Sequence, residues 1–160
     1  MKASRATVSI LLAVSAAQAL CVMPAAASTP PHDYVQQIVD LTNQNRQQHG
    51  CGALALDTKL TAAAQGHSDD MATNDYFEHD SPDGRNPGER ISDAGYDWNS
   101  WAENIAAGYD TPAEVVDSWM HSSGHRANIL NCGLDDIGVG YATADKAEYS
   151  TYWTQDFGSK

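Results

Sequence analysis

An N-terminal export signal is the feature that most limits what this chain can fold into. Residues 1–6 carry two basic residues and no acid, residues 8–22 form an almost unbroken apolar run, and residues 25–27 are three alanines. This order of basic, apolar and small residues is typical of a secretory signal. The sequence therefore predicts cleavage near Ala27, a secreted chain, and a fold built from the residues that follow.

Two other interpretations of this stretch are weaker. A permanent membrane anchor needs roughly 20 apolar residues, and this run is shorter and ends at Pro24. A lipid-modified Cys21 would need Leu three residues before it and a small residue directly before it, whereas Gln18 and Leu20 stand there. We therefore expect no stable membrane anchor.

The residues after the signal suffice for one domain. We expect a short linker over residues 28–33 and a single domain over residues 34–160. A domain of this size buries about two-thirds of the surface of its unfolded chain. Cys51 and Cys132 remain after export, and an even number of cysteines in an oxidising compartment predicts a disulfide between them. The alternative is two free, buried thiols.

The charge of the chain limits its partners. The formal net charge is −12 at pH 7, and two of the nine Lys and Arg residues lie in the signal. Proteins that bind DNA or RNA use Lys and Arg to displace counterions from phosphates. The acidity therefore argues against nucleic acid and anionic membranes as partners, and it fits a soluble extracellular monomer.

Hydrophobic spacing predicts that helices come first and strands last. In the first half we expect a helix from near Asp33 to Gly50, a helix capped by Asp57, a turn at 81–84, a helical turn over 87–94 and a loop over 96–101. In the second half we expect a helix capped by Thr111, a break at Gly124 and a helical segment over 126–130. Strands over 137–141 and 149–157 follow. The two strands should pair as a hairpin. Glu114 completes a capping box with Thr111, so we assign it no catalytic role.

Common catalytic signatures are absent from the sequence, which has no Gly-x-Ser-x-Gly, His-Glu-x-x-His or Cys-x-x-Cys. His121 and His125 have the spacing of a zinc-binding helix. However, Gly124 lies between them, and Ser122 stands where a metalloprotease carries its Glu. We expect a solvated His121 instead. His67 lies on an apolar helix stripe and is interpreted as a packed core histidine.

Three segments combine ionisable side chains with apolar neighbours: residues 76–80, 101–105 and 119–126. Ionisable groups are costly to bury alone. They cost less if they converge in one wet cleft or share a cation. Neutral imidazoles and a carboxylate are suitable ligands for a divalent metal.

The same segments resemble the blocks of bacterial CAP proteins, the cysteine-rich secretory, antigen 5 and pathogenesis-related 1 superfamily. The blocks are Phe77–Gly84, Ala102–Ala106, Trp119–Leu130 and Tyr152–Gly158, in the order and spacing of the family. The resemblance covers about Tyr34 to Gly158. It implies an α+β fold, a three-layer α-β-α sandwich with a central, mainly antiparallel sheet.

The resemblance also implies a site. The cleft of the family holds two His and two Glu, which match His79, Glu103 and His125 here, while Ser122 replaces the second Glu. In the family the His pair can bind zinc or another divalent ion, and the carboxylates beside it could act as a base or orient water. With three of four groups kept, we expect weaker metal binding and an incomplete acid–base pair. Glu103 remains the catalytic candidate. The alternative is that the three groups form a hydrogen-bonded network that fixes the fold.

For function, the resemblance implies no single activity, because members of the family are linked to sterol and lipid binding, defence and proteolysis. We expect a secreted binding protein for a lipid, a sterol or a protein partner, and Ser122 in place of the second Glu argues against an enzyme. Tyr96, Trp98, Trp101 and Tyr109 lie in loop-like sequence, where they either form a binding surface or cover the edge of the core. The alternative function is a metal-dependent extracellular hydrolase of peptide or cell-wall material, in which Glu103 would lie close to a bound water.

Overall fold

The computed structural model describes residues 31–160, with side chains from residue 34 onward. The predicted export signal and residues 28–30 of the predicted linker lie outside the described residues. The elements in chain order are α1 (Pro31–Gln48), β1 (Ala55–Leu56), α2 (Thr58–Asn74), α3 (Pro87–Asp93), β2 (Ser100–Ala107), α4 (Pro112–His121), α5 (Ser123–Ile129), β3 (Asp136–Thr143) and β4 (Thr151–Ser159). None of the helices within residues 31–160 is both long and apolar enough to cross a membrane.

Side-chain caps fix where α2, α3 and α4 begin. The Asp57 carboxylate accepts hydrogen bonds from the first amides of α2, at 2.7 and 3.2 Å. Thr111 and Glu114 form a capping box at α4, and Asn86 and Glu89 form another at α3. The first amides of a helix have no partner within the helix, so these side chains favour one starting point. The caps predicted at Asp57 and Thr111 are confirmed.

Two helix boundaries differ from the sequence prediction. Helix α1 begins at Pro31, two residues before the expected start, and proline is well tolerated in the first turn of a helix. The break between α4 and α5 lies at Ser122, whose backbone is extended at φ −96° and ψ 123°, and Gly124 lies within α5. The expected break at Gly124 was therefore wrong by two residues.

The sheet has four strands in the order β1-β3-β4-β2. Strands β1 and β3 run parallel, while β3–β4 and β4–β2 are antiparallel pairs, so the sheet is mainly antiparallel as expected. The predicted hairpin is confirmed, although β4 begins at Thr151 and not at Tyr149. Strand β2 occupies residues 100–107, a stretch without the apolar alternation that would have predicted it.

Helices cover both faces of the sheet, which confirms the three-layer arrangement. On one face α1, α4 and α5 enclose a core that includes Ile38, Trp119 and Trp153. On the other face α2 packs directly on β3 and β4. Gly138 and Gly140 permit this close approach, because a Cβ at either position would overlap the backbone of α2.

Two long-range links hold the end of α1 to the segment after α5. The predicted disulfide between Cys51 and Cys132 is present, with Cα atoms 5.0 Å apart and a sequence separation of 81. Beside it the Arg46 guanidinium is buried, with 1% of the residue exposed. It donates to the backbone carbonyls of Gly52, Ile129, Asn131 and Leu134, at 2.8 to 3.0 Å.

Candidate functional site

Edge strand β2 places functional side chains toward both helical layers. Glu103 faces α3, and its partner on β4 is Asp156. Asn104, the next residue, faces α5, and its partner on β4 is Gln155. Successive side chains of a strand point to opposite faces. Two adjacent polar residues therefore serve two different environments.

Side chains from α4 and α5 bind the outer edge of β2. The Asn128 amide donates to the Glu103 carbonyl and the Trp119 indole donates to the Ile105 carbonyl, both at 3.1 Å. An unprotected edge strand would be a template for pairing with another chain. These contacts cover that edge and hold α4 and α5 against the strand.

The Glu103 carboxylate lies between a histidine and an arginine. Its side chain is 1% exposed. One oxygen accepts from His79 Nδ1 at 2.7 Å, and the other accepts from Arg90 Nη2 at 2.6 Å. Both bonds are charge-assisted when His79 is protonated, which makes them short and strong. The Glu103 bond fixes the orientation of the His79 ring and leaves Nε2 as the nitrogen for an external ligand.

The two site histidines have opposite pKa shifts. The hydrogen bond to Glu103 raises the pKa of His79 above 6.5, against the opposing effect of burial. Burial lowers the pKa of His125, and the nearby charge of His79 lowers it further. The Glu103 bond therefore favours the protonated form of His79, and burial favours the neutral form of His125.

Asp156 lies deeper, beside Glu103, and is fully buried. Neither of its carboxyl oxygens has a hydrogen-bond partner among the described residues, and the same is true of Arg90 Nε. Burial, together with the Glu103 carboxylate, raises the pKa of Asp156 well above its ordinary value. These surroundings favour the protonated, uncharged form of Asp156 behind the Glu103–Arg90 ion pair.

A hydrogen-bond network on the opposite face positions His125. The Asn104 amide donates to the His125 carbonyl at 3.2 Å and accepts from Asn128 at 2.9 Å. Gln155 extends the network to Thr42 of α1, at 2.8 Å. The backbone of α5 is thus fixed to β2, and this sets where the His125 imidazole lies.

A small apolar pocket lies along β2 next to His125. We call it the β2 pocket. Its volume is about 220 Å³. Phe77 lies at its wall, is 38% exposed, and packs on Tyr149 with ring centroids 5.9 Å apart. The lining residues are Phe77, Ile105, Ala106, Ala107, Tyr109, Ser118, Trp119, His125 and Tyr149. Among these nine lining residues, His125 alone can carry a positive charge.

Three other residues singled out in the sequence lie outside this arrangement. Ser122 is half-buried at the N-cap of α5 and makes no side-chain capping bond. His121 belongs to α4, with a side chain that is 78% exposed, so the expected solvated state is confirmed. His67 is fully buried and its Nε2 donates to the Glu78 carbonyl at 3.1 Å, which confirms a packed core histidine.

The four aromatic residues expected either to form a binding surface or to cover the edge of the core differ in exposure, and Tyr109 is half-buried in the wall of the β2 pocket. Tyr96 is 1% exposed and its hydroxyl donates to Asp136 at 2.7 Å, so it belongs to the core. Trp101 is half-buried over Gly88. Trp98 is 39% exposed. The loop interpretation was wrong for Trp101 because its backbone pairs with β4.

Sequence reasoning missed Arg90 and Asp156. Arg90 lies in a short capped helix, and Asp156 lies in a strand whose residues are all buried. A charged residue at either place is a weak signal of a buried partner. Neither signal identifies Glu103 as that partner.

The residues at the site do not form a complete metal centre. Within residues 34–160 no three His, Cys, Asp or Glu side chains are arranged to hold a metal ion. Glu103 is buried and bound to Arg90, so the imidazoles of His79 and His125 are the groups at the site that remain as metal ligands. Zinc sites in proteins take three or four protein ligands.

Similarity to known sequences extends over most of the domain. The family described as CAP, the cysteine-rich secretory protein family, matches residues 39–157. The chain is 42% identical over 124 residues to Uncharacterized protein YkwD of Bacillus subtilis (strain 168), covering 78% of this chain and 46% of the relative. It is 37% identical over 122 residues to the Uncharacterized membrane protein YlbC of the same organism, covering 76% and 33%. The chain thus spans less than half the length of these relatives.

Solved structures share the fold. An extracellular protein containing a SCP domain from Bacillus anthracis superimposes with a TM-score of 0.73 at 34% identity, covering 84% of this chain and 45% of that one. An outer surface protein of Borrelia burgdorferi has a TM-score of 0.71 at 21% identity, covering 78% and 91%, and is similar in fold alone. With the family match and the three-layer architecture, these similarities show that the chain belongs to the CAP, or cysteine-rich secretory protein, family.

Proposed function

We propose that this chain is an extracellular binding module that holds the apolar part of an amphiphilic ligand in the β2 pocket. The observation that carries the proposal is the composition of that pocket, whose wall is largely apolar and includes the imidazole of His125. Pockets with apolar walls and few polar groups are typical of ligand sites. The disulfide, the predicted export signal and the extracellular relative support an extracellular location.

The volume of the pocket limits what can enter it. Sites for drug-sized ligands occupy about 300–1,000 Å³, and this pocket has about 220 Å³. It therefore accepts part of a ligand, such as a segment of an acyl chain. A lipid-like molecule is the occupant we favour, and the apolar side chain of a protein partner is the alternative.

The two imidazoles would bind the polar end of such a ligand. His79 is half-exposed, and its Nδ1 makes the hydrogen bond to Glu103. Its Nε2 therefore remains available to bind the ligand. His125 lines the pocket itself. In this proposal Glu103 is a positioning residue that holds and charges His79, and it does not act as a base.

The hydrolase alternative has less support. A general base must lie within hydrogen-bond reach of the water or substrate that it deprotonates. Both carboxylate oxygens of Glu103 are engaged, and its side chain is 1% exposed. Ser122 supplies no second carboxylate. We therefore expect no hydrolysis of peptides or cell-wall material.

The proposal is tested by titrating residues 28–160 calorimetrically with decanoate and with decanol, which share an apolar tail but differ in charge. The decisive variant is Phe77→Ser, and the matched control is Trp98→Ser, because the two aromatic residues are almost equally exposed, at 38% and 39%. Loss of an aromatic contact at a binding pocket costs about tenfold or more in affinity. Phe77→Ser should show that loss, and Trp98→Ser should bind as the unmodified chain does. If neither tail binds, or both variants weaken binding equally, the pocket is not the site.

Metal binding is tested separately with zinc, using His79→Ala and His125→Ala. We propose that any binding through the two imidazoles is weak, with a Kd of roughly 10 μM or higher, and that each variant weakens it about tenfold or more. A submicromolar site would contradict this expectation. Binding that neither variant affects would place the ion elsewhere.

A further inference from the structure

A second cleft lies between the start of α1, the C-terminal half of α2 and the β3–β4 hairpin. We call it the hairpin cleft. It is open, has a volume of about 760 Å³, and shares no residue with the β2 pocket. From its shape and side chains, we infer that the hairpin cleft binds an oligosaccharide free of acidic groups.

Two tyrosines on a rigid support provide the apolar part of the cleft. The rings of Tyr34 and Tyr141 meet edge to face, with centroids 5.3 Å apart. Both pack against Trp153, at 5.8 and 4.2 Å, and Trp153 is completely buried. The Trp153 indole donates to the Tyr109 carbonyl at 2.9 Å, which fixes the group. Rigid amphipathic rings offer contact area at low cost in conformational entropy, and this suits the flat, C–H-bearing face of a sugar.

Polar side chains surround the tyrosines. Asp69, Asp75 and Asp145 supply carboxylate acceptors, and Thr73 and Lys146 supply donors. Asp75 is fixed by a bond from the Glu148 amide at 2.7 Å, and Asp69 by one from Gln65 at 2.9 Å. Each fixed carboxylate has a second oxygen to accept a sugar hydroxyl. Three acids against one lysine repel a sugar that carries carboxylates or sulfates.

An extended peptide fits this cleft less well. A peptide that added to the sheet would need the free backbone groups at the outer edge of β3. At Tyr141 those groups are already bonded, because the Gln65 side-chain amide donates to the carbonyl at 2.8 Å and accepts from the backbone amide at 3.1 Å. Lys146 lines the same cleft and offsets part of the attraction that the three acids exert on a simple organic cation. A ligand with many hydroxyls uses both the donors and the acceptors.

The test is a titration of ¹⁵N-labelled residues 28–160 with cellohexaose and with N-acetylchitohexaose, followed by amide chemical shifts. Hexagalacturonate serves as the acidic sugar and spermine as the sugar-free cation. At least one neutral hexaose should bind with a Kd of about 0.1–1 mM and shift amides of the hairpin and of the C-terminal half of α2. Hexagalacturonate and spermine should bind at least tenfold more weakly.

Variants place the binding in the cleft. Tyr34→Leu keeps an apolar contact with Trp153 but removes the ring, and Asp145→Asn removes one charge without changing size. Each should weaken the sugar about fivefold or more, while Asp117→Asn, an exposed acid on α4, should leave affinity unchanged. The inference is overturned if no neutral hexaose binds up to about 10 mM. It is also overturned if spermine binds more tightly than the sugars, or if neither cleft variant changes the affinity for the sugar.

Discussion

Replacing Arg46 by Met should be among the most destabilising single substitutions in this domain. The guanidinium bonds four backbone carbonyls, and the bonds to Ile129 and Leu134 are fully buried. Methionine fills much of the same space but donates nothing. A buried acceptor without a partner costs about 1–3 kcal/mol, so the two buried carbonyls together cost roughly 2–6 kcal/mol.

One effect opposes this loss. A buried charge loses its hydration, and this burial lowers the pKa of Arg46; Met removes that desolvation cost. We therefore expect a net loss of about 3–4 kcal/mol, a large share of the roughly 5–15 kcal/mol that stabilises a typical domain. The melting temperature should fall by roughly 10–15 °C.

The assay is equilibrium unfolding of oxidised residues 28–160 in urea, with the midpoint and slope fitted together. Arg126→Met is the matched control, because Arg126 is exposed and its side chain contacts His49 at 3.0 Å. A surface change of this kind stays within about 0.5 kcal/mol. If Arg46→Met costs less than about 1 kcal/mol, or no more than the control, the carbonyls are satisfied without Arg46 and the reasoning is wrong.

Three further predictions concern the layers and the disulfide. Gly140→Ala should cost several kcal/mol in urea unfolding, because the new methyl would overlap the Ala64 carbonyl and come within 2.6 Å of the Gln65 amide. Gly66→Ala should instead stabilise by about 0.5–1 kcal/mol, since Gly66 is inside α2 and, apart from the adjacent residues and the helix's own backbone, no atom lies within 4 Å of the place that an added methyl would take. An equal loss at both glycines would contradict this. Replacing Cys51 and Cys132 together by Ser should lower stability by about 2–4 kcal/mol, and an unchanged urea midpoint would show that the bond does not constrain the unfolded chain.

The sequence predicted the elements that depend on contacts between residues close together in the chain. Asp57 caps α2 and Thr111 caps α4, and both caps use side chains within three residues of the amides they bind. The β3–β4 hairpin also has short-range alternation. Strand β2 was not predicted, because its residues find their partners far along the chain. Glu103 is bonded by Arg90 and Asn128, and no local pattern indicates such bonds.

Part of the site was predicted from the sequence, and part was not. The resemblance to the CAP family placed His79 and Glu103 in one cleft, and the structure brings them within 2.7 Å. It did not indicate that Arg90 neutralises Glu103 or that Asp156 lies behind it. These groups come from a helix and a strand that pack together only through the tertiary fold. The β2 pocket likewise joins Phe77 to side chains from distant segments.

The hydrogen bond from His79 to Glu103 favours a protonated His79, whereas burial favours a neutral His125 beside the β2 pocket. The most direct measurement is a pH titration of both imidazoles by ¹⁵N NMR. The pKa of His79 should lie above its ordinary 6.5 and that of His125 below it. The His79 contribution to stability is then present at low pH and lost as pH rises through its raised pKa, whereas protonating His125 at low pH destabilises the fold. If both rings titrate together at the ordinary value, Glu103 does not control His79 and the proposed site is contradicted.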